Sequence, residues 1–334
     1  MTLPAFDGTL EPWPGVKRRH DWQGLLLGNG MSINVWGGFA YERLFDYARD
    51  NSLSAEELRL FNGRPNFELV LSELLTTLRV MEAVGLEAGP VYRRYESVQA
   101  ALGPAIREVH IRRPAVADEI LAAIRRELEC YAWIFTTSYD LLLYWAMGHE
   151  KWEPFVDHFR YARRCEFDPD RAQVRSGTVP VYFLHGALHL VTGEGGATWK
   201  RTNNLVRNLL EQFGRPIPSE PKARPLLVTE GSAEDKLRAI EANRYLSHAR
   251  SRLIGCRVPL VVFGSSLSSQ DDHLVDALNE HPGRPIAISM RVDDRRRLAR
   301  DQANRYERLD TDDLYFFDAA THPLGAASLR VVRA

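Results

Sequence analysis

The chain carries 334 residues, 45% of them hydrophobic and 26% charged, with 43 basic against 44 acidic side chains and a net charge of −1. That profile is globular, excludes a disordered chain, and offers no bulk attraction to nucleic acid or anionic lipid. The three cysteines, Cys130, Cys165 and Cys256, form no CxxC pair, which excludes a four-cysteine zinc site and disfavours a disulfide framework.

The opening MTLPAFDGTLEPWPG lacks the basic and apolar blocks of a signal peptide. The longest apolar runs, such as LLLYWAM over 141–147, are too short to span a bilayer, so a cytoplasmic, reducing setting is expected. A first strand is predicted at 24–27, ending in GNGMS over 28–32. Residues 41–128 then read as helices. Ser54 and Glu57 have capping-box spacing with Leu53 and Leu58 as a staple, and an apolar stripe runs from Phe67 to Met81 with Gly85 as its stop. A further helix follows Pro114.

Beyond that block, short apolar and β-branched runs at 131–136, 180–184, 225–228, 259–263, 285–289 and 314–317 read as strands. Helical patterns separate many of them, whereas 155–179 reads as loop or hairpin. The expectation is an α/β, Rossmann-like open sheet of about six mainly parallel strands with helices on both faces. Residues 1–40 and 129–334 would form the nucleotide-binding domain, with 41–128 as a helical insertion. Arg295–Arg297, flanked by acids, reads as a solvated helix face.

Five consecutive strands end in polar or glycine-containing sequence: GNGMS (28–32), TTSYD (136–140), HG (185–186), TEGS (229–232) and GSSLSSQDDH (264–273). Parallel strands would gather these along the carboxyl rim, where open α/β sheets hold ligands. Each member also has a purely structural reading. Gly28 and Gly30 could form a tight strand-to-helix turn or let the backbone approach a pyrophosphate. Ile33 occupies the third glycine position of the usual dinucleotide fingerprint, and no acidic residue falls where that fingerprint needs one, so an ordinary dehydrogenase is not expected.

Asp140 reads as the cap of the helix that follows it. Thr136, Thr137 and Ser138 either satisfy a strand end or offer hydroxyls to a ligand. His185 is a structural histidine or, on a polar rim, a general base. Ser268 and Asp271 have near-capping-box spacing. His189 lies on a strand or hairpin, so a metal pair with His185 is rejected.

FTTSYD, YFLHGALHL, VTEGSAEDKLRAIEANRYL and VFGSSLSSQDDHL, in this order after a glycine turn with Ser32, resemble the motifs of bacterial sirtuin-like NAD-binding proteins. Many of those proteins act in antiphage defence. The similarity covers roughly 24–47 and 131–290 and includes an uncharacterised bacterial family of about this length. It implies that Gly28, Gly30 and Ser32 hold the diphosphate and nearby ribose, and that Gly264, Ser265 and Ser266 contact the adenosine half. Asn29, Thr137, Asp140 and Asp271 would complete the NAD-binding set, and no metal is implied. His185 would act on the nicotinamide ribose, with Ser138 as the second catalytic residue.

The implied reaction is cleavage of the nicotinamide–ribose bond. Sirtuin zinc cysteines are missing, so deacetylation is not expected. Ser138 stands where the family has asparagine, a shorter arm with one rotating hydroxyl. Three readings follow: an NAD glycohydrolase, perhaps switched on by a partner; an NAD or ADP-ribose sensor that has lost turnover; and an interaction scaffold docking through 40–128. The expected partner is a small nucleotide, with neither membrane nor nucleic acid, and a homo-oligomer or an activating protein is allowed.

Overall fold

Three consecutive leucines can be buried on both sides only in the middle of a sheet, and Leu25, Leu26 and Leu27 are each 0% exposed. A computed structural model describes residues 6–159, 165–169, 176–202, 208–215, 222–228, 232–291 and 294–332. Its strands in chain order are β1 (Glu11–Pro12), β2 (Gly24–Leu27), β3 (Trp133–Thr136), β4 (Phe155–Val156), β5 (Val179–Phe183), β6 (Gly186–Thr192), β7 (Thr198–Lys200), β8 (Arg224–Leu227), β9 (Leu260–Phe263), β10 (Ile286–Met290) and β11 (Leu314–Asp318). Eight of them form one parallel sheet in the order β1-β11-β10-β9-β2-β3-β5-β4. Its longer members are six of the predicted strands, and β1 and β4 add two-residue edges.

The predicted strand at 225–228 goes elsewhere. β8 pairs antiparallel with β6, and β7 completes a separate three-stranded sheet. A short apolar run does not encode the direction of its partner. The TEGS cluster therefore follows an antiparallel strand, and its residues 229–231 lie outside the described residues. Within 155–179, β4 and an antiparallel Phe159–Phe167 bridge occupy what the sequence left as loop or hairpin. Residues 160–164 and 170–175 are outside the described residues.

The helices are α1 (Trp13–Lys17), α2 (Asn29–Val35), α3 (Tyr41–Asn51), α4 (Ala55–Phe61), α5 (Phe67–Ala83), α6 (Gly89–Val109), α7 (Asp118–Leu128), α8 (Leu142–Met147), α9 (Leu209–Gln212), α10 (Ala233–Glu241), α11 (Arg244–Ile254), α12 (Asp272–Asn279) and α13 (Arg295–Arg308). The described part of 41–128 is helical and loop without a strand, and Ser54 and Glu57 make the reciprocal capping box.

Alternate strand residues serve two cores, as the period of two requires. Leu25, Leu27, Ile134 and Val261 face α2, α7 and α8, while Leu26, Phe135, Val262 and Ile288 face α11, α12 and α13. A third core joins α3 to α6 with Leu141, Leu188 and α9. No helix among the described residues is long and apolar enough to cross a membrane.

Register sets the rim. Leu27 pairs with both Thr136 and Phe263, and Thr136 with Phe183, so β2, β3, β5 and β9 end level. From β2 the chain builds β3 and β5 to one side, then returns to build β9, β10 and β11 on the other. The topological switch point lies between β2 and β9, where an open parallel sheet presents its crevice.

Candidate functional site

The two loops at the switch point touch backbone to backbone. Gly28 N donates to Phe263 O at 2.8 Å, and Gly30 N donates to Gly264 O at 2.8 Å. A Cβ on Gly28 would lie 2.4 Å from Gly264 O, and one on Gly30 would lie 2.7 Å from Gly264 Cα. Gly264 itself has φ +72. Both glycines of GNG are therefore required by the neighbouring loop, whatever the crevice binds. The backbone comes close to another part of its own chain.

Beside this contact opens a cavity of about 460 Å³ that runs from Gly30, Gly264, Ser265 and Ser266 past the ends of β10 and β11 to α13. Its size suits half of a dinucleotide or a small nucleotide. Arg297, expected on a solvated face, is exposed but also lines this cavity.

A second cluster lies under the first loop. Ser32 and Ser138 both donate to Asp140 Oδ2, the latter at 2.5 Å, and their hydroxyls are 3.2 Å apart. Asp140 Oδ1 accepts from Leu142 N at 2.7 Å and so satisfies the first N–H of α8, though from one position before the N-cap, Leu141. All three residues are buried. Ser138 is thus committed to holding β3's loop against α2. Thr137 returns its N–H to Leu27 O at 2.9 Å, and Asn29 Nδ2 donates to Phe39 O at 3.2 Å.

His185 belongs to a third cluster and does not line the cavity. It ends β5 in a turn that Gly186 makes at φ +79, where a Cβ would meet Leu226 O at 1.9 Å. Its Nε2 lies 2.8 Å from Nε2 of His273, so one ring donates and the other accepts. Burial drives both imidazoles down, His273 to about 3, and the nearby Lys236 ammonium adds to this, so the pair is neutral near pH 7. His273 Nδ1 is buried with no hydrogen-bond partner among the described residues.

Lys236 is 3.1 Å from Glu68 of α5 and 3.6 Å from Asp271. Burial raises Asp271, and Lys236 opposes the rise. The expected Ser268–Asp271 capping box does not form: Asp271 N bonds Ser268 O in a 3₁₀ turn, and the carboxylate faces Lys236 instead. With Arg79–Asp235 at 2.8 Å, two ion pairs tie α5 to α10. Sequence reasoning missed His273 and Lys236. His273 looks like an ordinary helix residue and meets His185 only through folding, and Lys236 sits in a charged helical run.

Lys236→Met is expected to destabilise the fold by about 3 kcal/mol, because two largely buried carboxylates lose their shared cation. Urea unfolding of the variant checks this, and an unchanged midpoint would mean that the ion pairs are idle.

A doubly wound parallel sheet with glycine- and serine-rich loops meeting at its switch point defines a Rossmann-type α/β protein. The chain belongs to the family described as domain of unknown function DUF4917, whose model matches residues 25–324. No curated protein matches the sequence. Among solved structures, the chain is 13% identical, with TM-score 0.39, to a protein from a study of the structural basis of Sir2 enzyme mechanism and regulation; 94% of this chain and 93% of that one are covered. A serine-to-alanine mutant of a Sir2 homologue in complex with ADP-ribose gives 14% identity and TM-score 0.36, over 93% and 91% of the two chains. Neither likeness is close enough to carry a site or an activity across.

Proposed function

We propose that this protein binds a nucleotide of the NAD and ADP-ribose class at the switch point, with the adenosine half in the 460 Å³ cavity and the diphosphate passing Gly30, Gly264 and Ser265. The cavity at the junction of β2 and β9 carries this reading, and the sirtuin-like sequence motifs supply the ligand class. The geometry favours a sensor or regulatory subunit, since Ser138 is held between Ser32 and Asp140 and His185 stands off the cavity. Cleavage of the nicotinamide–ribose bond, as in an antiphage effector, is the second reading. The His185–His273 pair is the observation that favours it, because one imidazole in hydrogen-bond contact with another is the arrangement of a base oriented by a partner.

Calorimetric titration of the full chain with NAD and ADP-ribose, beside an assay of nicotinamide release, tests both. Binding without release is expected, with affinity lost at least about 10-fold in Ser266→Trp, where a bulky ring enters the cavity from an exposed position. Release by the native chain that disappears in His185→Ala would replace the sensor with the glycohydrolase. Release gained in Ser138→Asn would support the sensor. If neither nucleotide binds or raises Tm, nucleotide handling is wrong and the scaffold remains.

A further inference from the structure

Four arginines, Arg291, Arg297, Arg305 and Arg330, line the cavity, two of them on α13. Arg297 and Arg305 lie eight residues apart on α13 with Asp301 midway, a spacing that puts all three on one helix face, and all three line the cavity. Three carboxylates, Asp294, Asp301 and Asp318, share this lining. Asp294 accepts Arg297 N at 2.8 Å as the cap of α13, and Asp318 accepts Ala320 N at 2.9 Å. Asp301 is 3.9 Å from Arg297.

Arg305 gives one N–H to Asp301 O at 2.9 Å. Among the described residues its Nε is buried without a hydrogen-bond partner, and no carboxylate comes within ion-pair distance, although the Asp301 charge acts on it from the same helix face. A half-buried guanidinium with a spare donor calls for an acceptor. A ribose hydroxyl would need only a free carboxylate, whereas paired guanidinium forks match a phosphate.

Resting on the nucleotide-binding reading, we infer that the cavity takes a dinucleotide with an additional phosphate on its adenosine ribose, the NADP class, with Arg297 and Arg305 holding that phosphate. The diphosphate stays at the glycine contact, and the extra phosphate reaches α13.

The experiment is calorimetric titration of the full chain with NADP, NAD, 2′-phospho-ADP-ribose and ADP-ribose at one salt concentration, repeated on Arg297→Gln and Arg305→Gln. Each phosphorylated ligand is expected to bind at least about 10-fold tighter than its unphosphorylated counterpart, as one added charge-assisted contact gives. The preference is expected to shrink to about 2-fold in each variant. Equal affinities in the native chain would overturn the inference while leaving nucleotide binding intact. So would a preference that survives both substitutions, since the phosphate would then be held elsewhere. Binding of none of the four would remove the underlying reading, and this inference with it. Thermal unfolding of both variants confirms that they fold.

Discussion

Gly264→Ala is expected to cost at least about 3 kcal/mol of stability and to abolish nucleotide binding. Two effects add at this position. An alanine at φ +72 carries the left-handed penalty of about 1 to 2 kcal/mol. Its Cβ would also stand 2.6 Å from Met31 N and 2.9 Å from Gly30 Cα, both backbone atoms of the opposite loop, so relief demands that the two loops part. Gly63 separates the terms, because it has the same φ of +72 and nothing within 4 Å of the added carbon. Urea unfolding of Gly63→Ala should show the backbone penalty alone, and Gly264→Ala should exceed it by about 2 kcal/mol. Equal losses in the two variants would mean that the loops yield freely, and the switch-point contact would not be the constraint described above.

The second large effect is acid lability at mild pH. His110, His185, His189, His273 and His322 are all buried, and burial is the first cause that depresses each of them. Two also accept backbone hydrogens: Leu141 N donates to His110 Nε2 at 3.0 Å, and Leu324 N donates to His322 Nδ1 at 3.1 Å. Protonation would break both contacts. Folded pKa values below the unfolded value of about 6.5 give stability that is complete above that pH and drains as pH falls beneath it.

At about pH 5.5 each histidine held near 3 or 4 by burial, namely His158, His273 and His322, costs about 1.4 kcal/mol, so these three cost about 4 kcal/mol and the other buried rings add in the same direction. For a chain of this length that lowers Tm by at least about 6 °C. Carboxylates in the unfolded chain titrate mainly below this window, so melts at about pH 7.5 and about pH 5.5 report mainly on the histidines, with the raised Asp271 and Glu127 carboxyls acting in the opposite direction. A difference under about 3 °C would show that these rings are solvated or protonated in the fold.

Much of the sheet could be read from residue order. Buried parallel strands announce themselves as unbroken apolar runs, and GLLL, WIFT and LVVF are each strands that end at the rim. The run at 225–228 looked no different, yet it joined a second sheet, because strand direction is decided by the turn at Gly186 and the β6 register. Asp140 was legible as a cap because its partner is two residues away. His273 was not legible, since its significance comes from an imidazole on another strand. The glycines of GNG read as a tight turn or an approach to a ligand, and in the structure they abut another loop of the same chain. What they approach was hidden, because Gly264 becomes a neighbour only once the sheet is wound.

The place of β2 also bears on how the chain is made. Its hydrogen-bonding neighbours are β3 and β9, and β9 is formed by Leu260–Phe263, late in the sequence. On the ribosome, the leucine strand therefore emerges early and keeps one open edge until most of the polypeptide has been synthesised. Such an edge is prone to associate with other nascent chains, and long-range pairing of this kind closes slowly. The winding order of the sheet thus sets how long that edge stays open during synthesis.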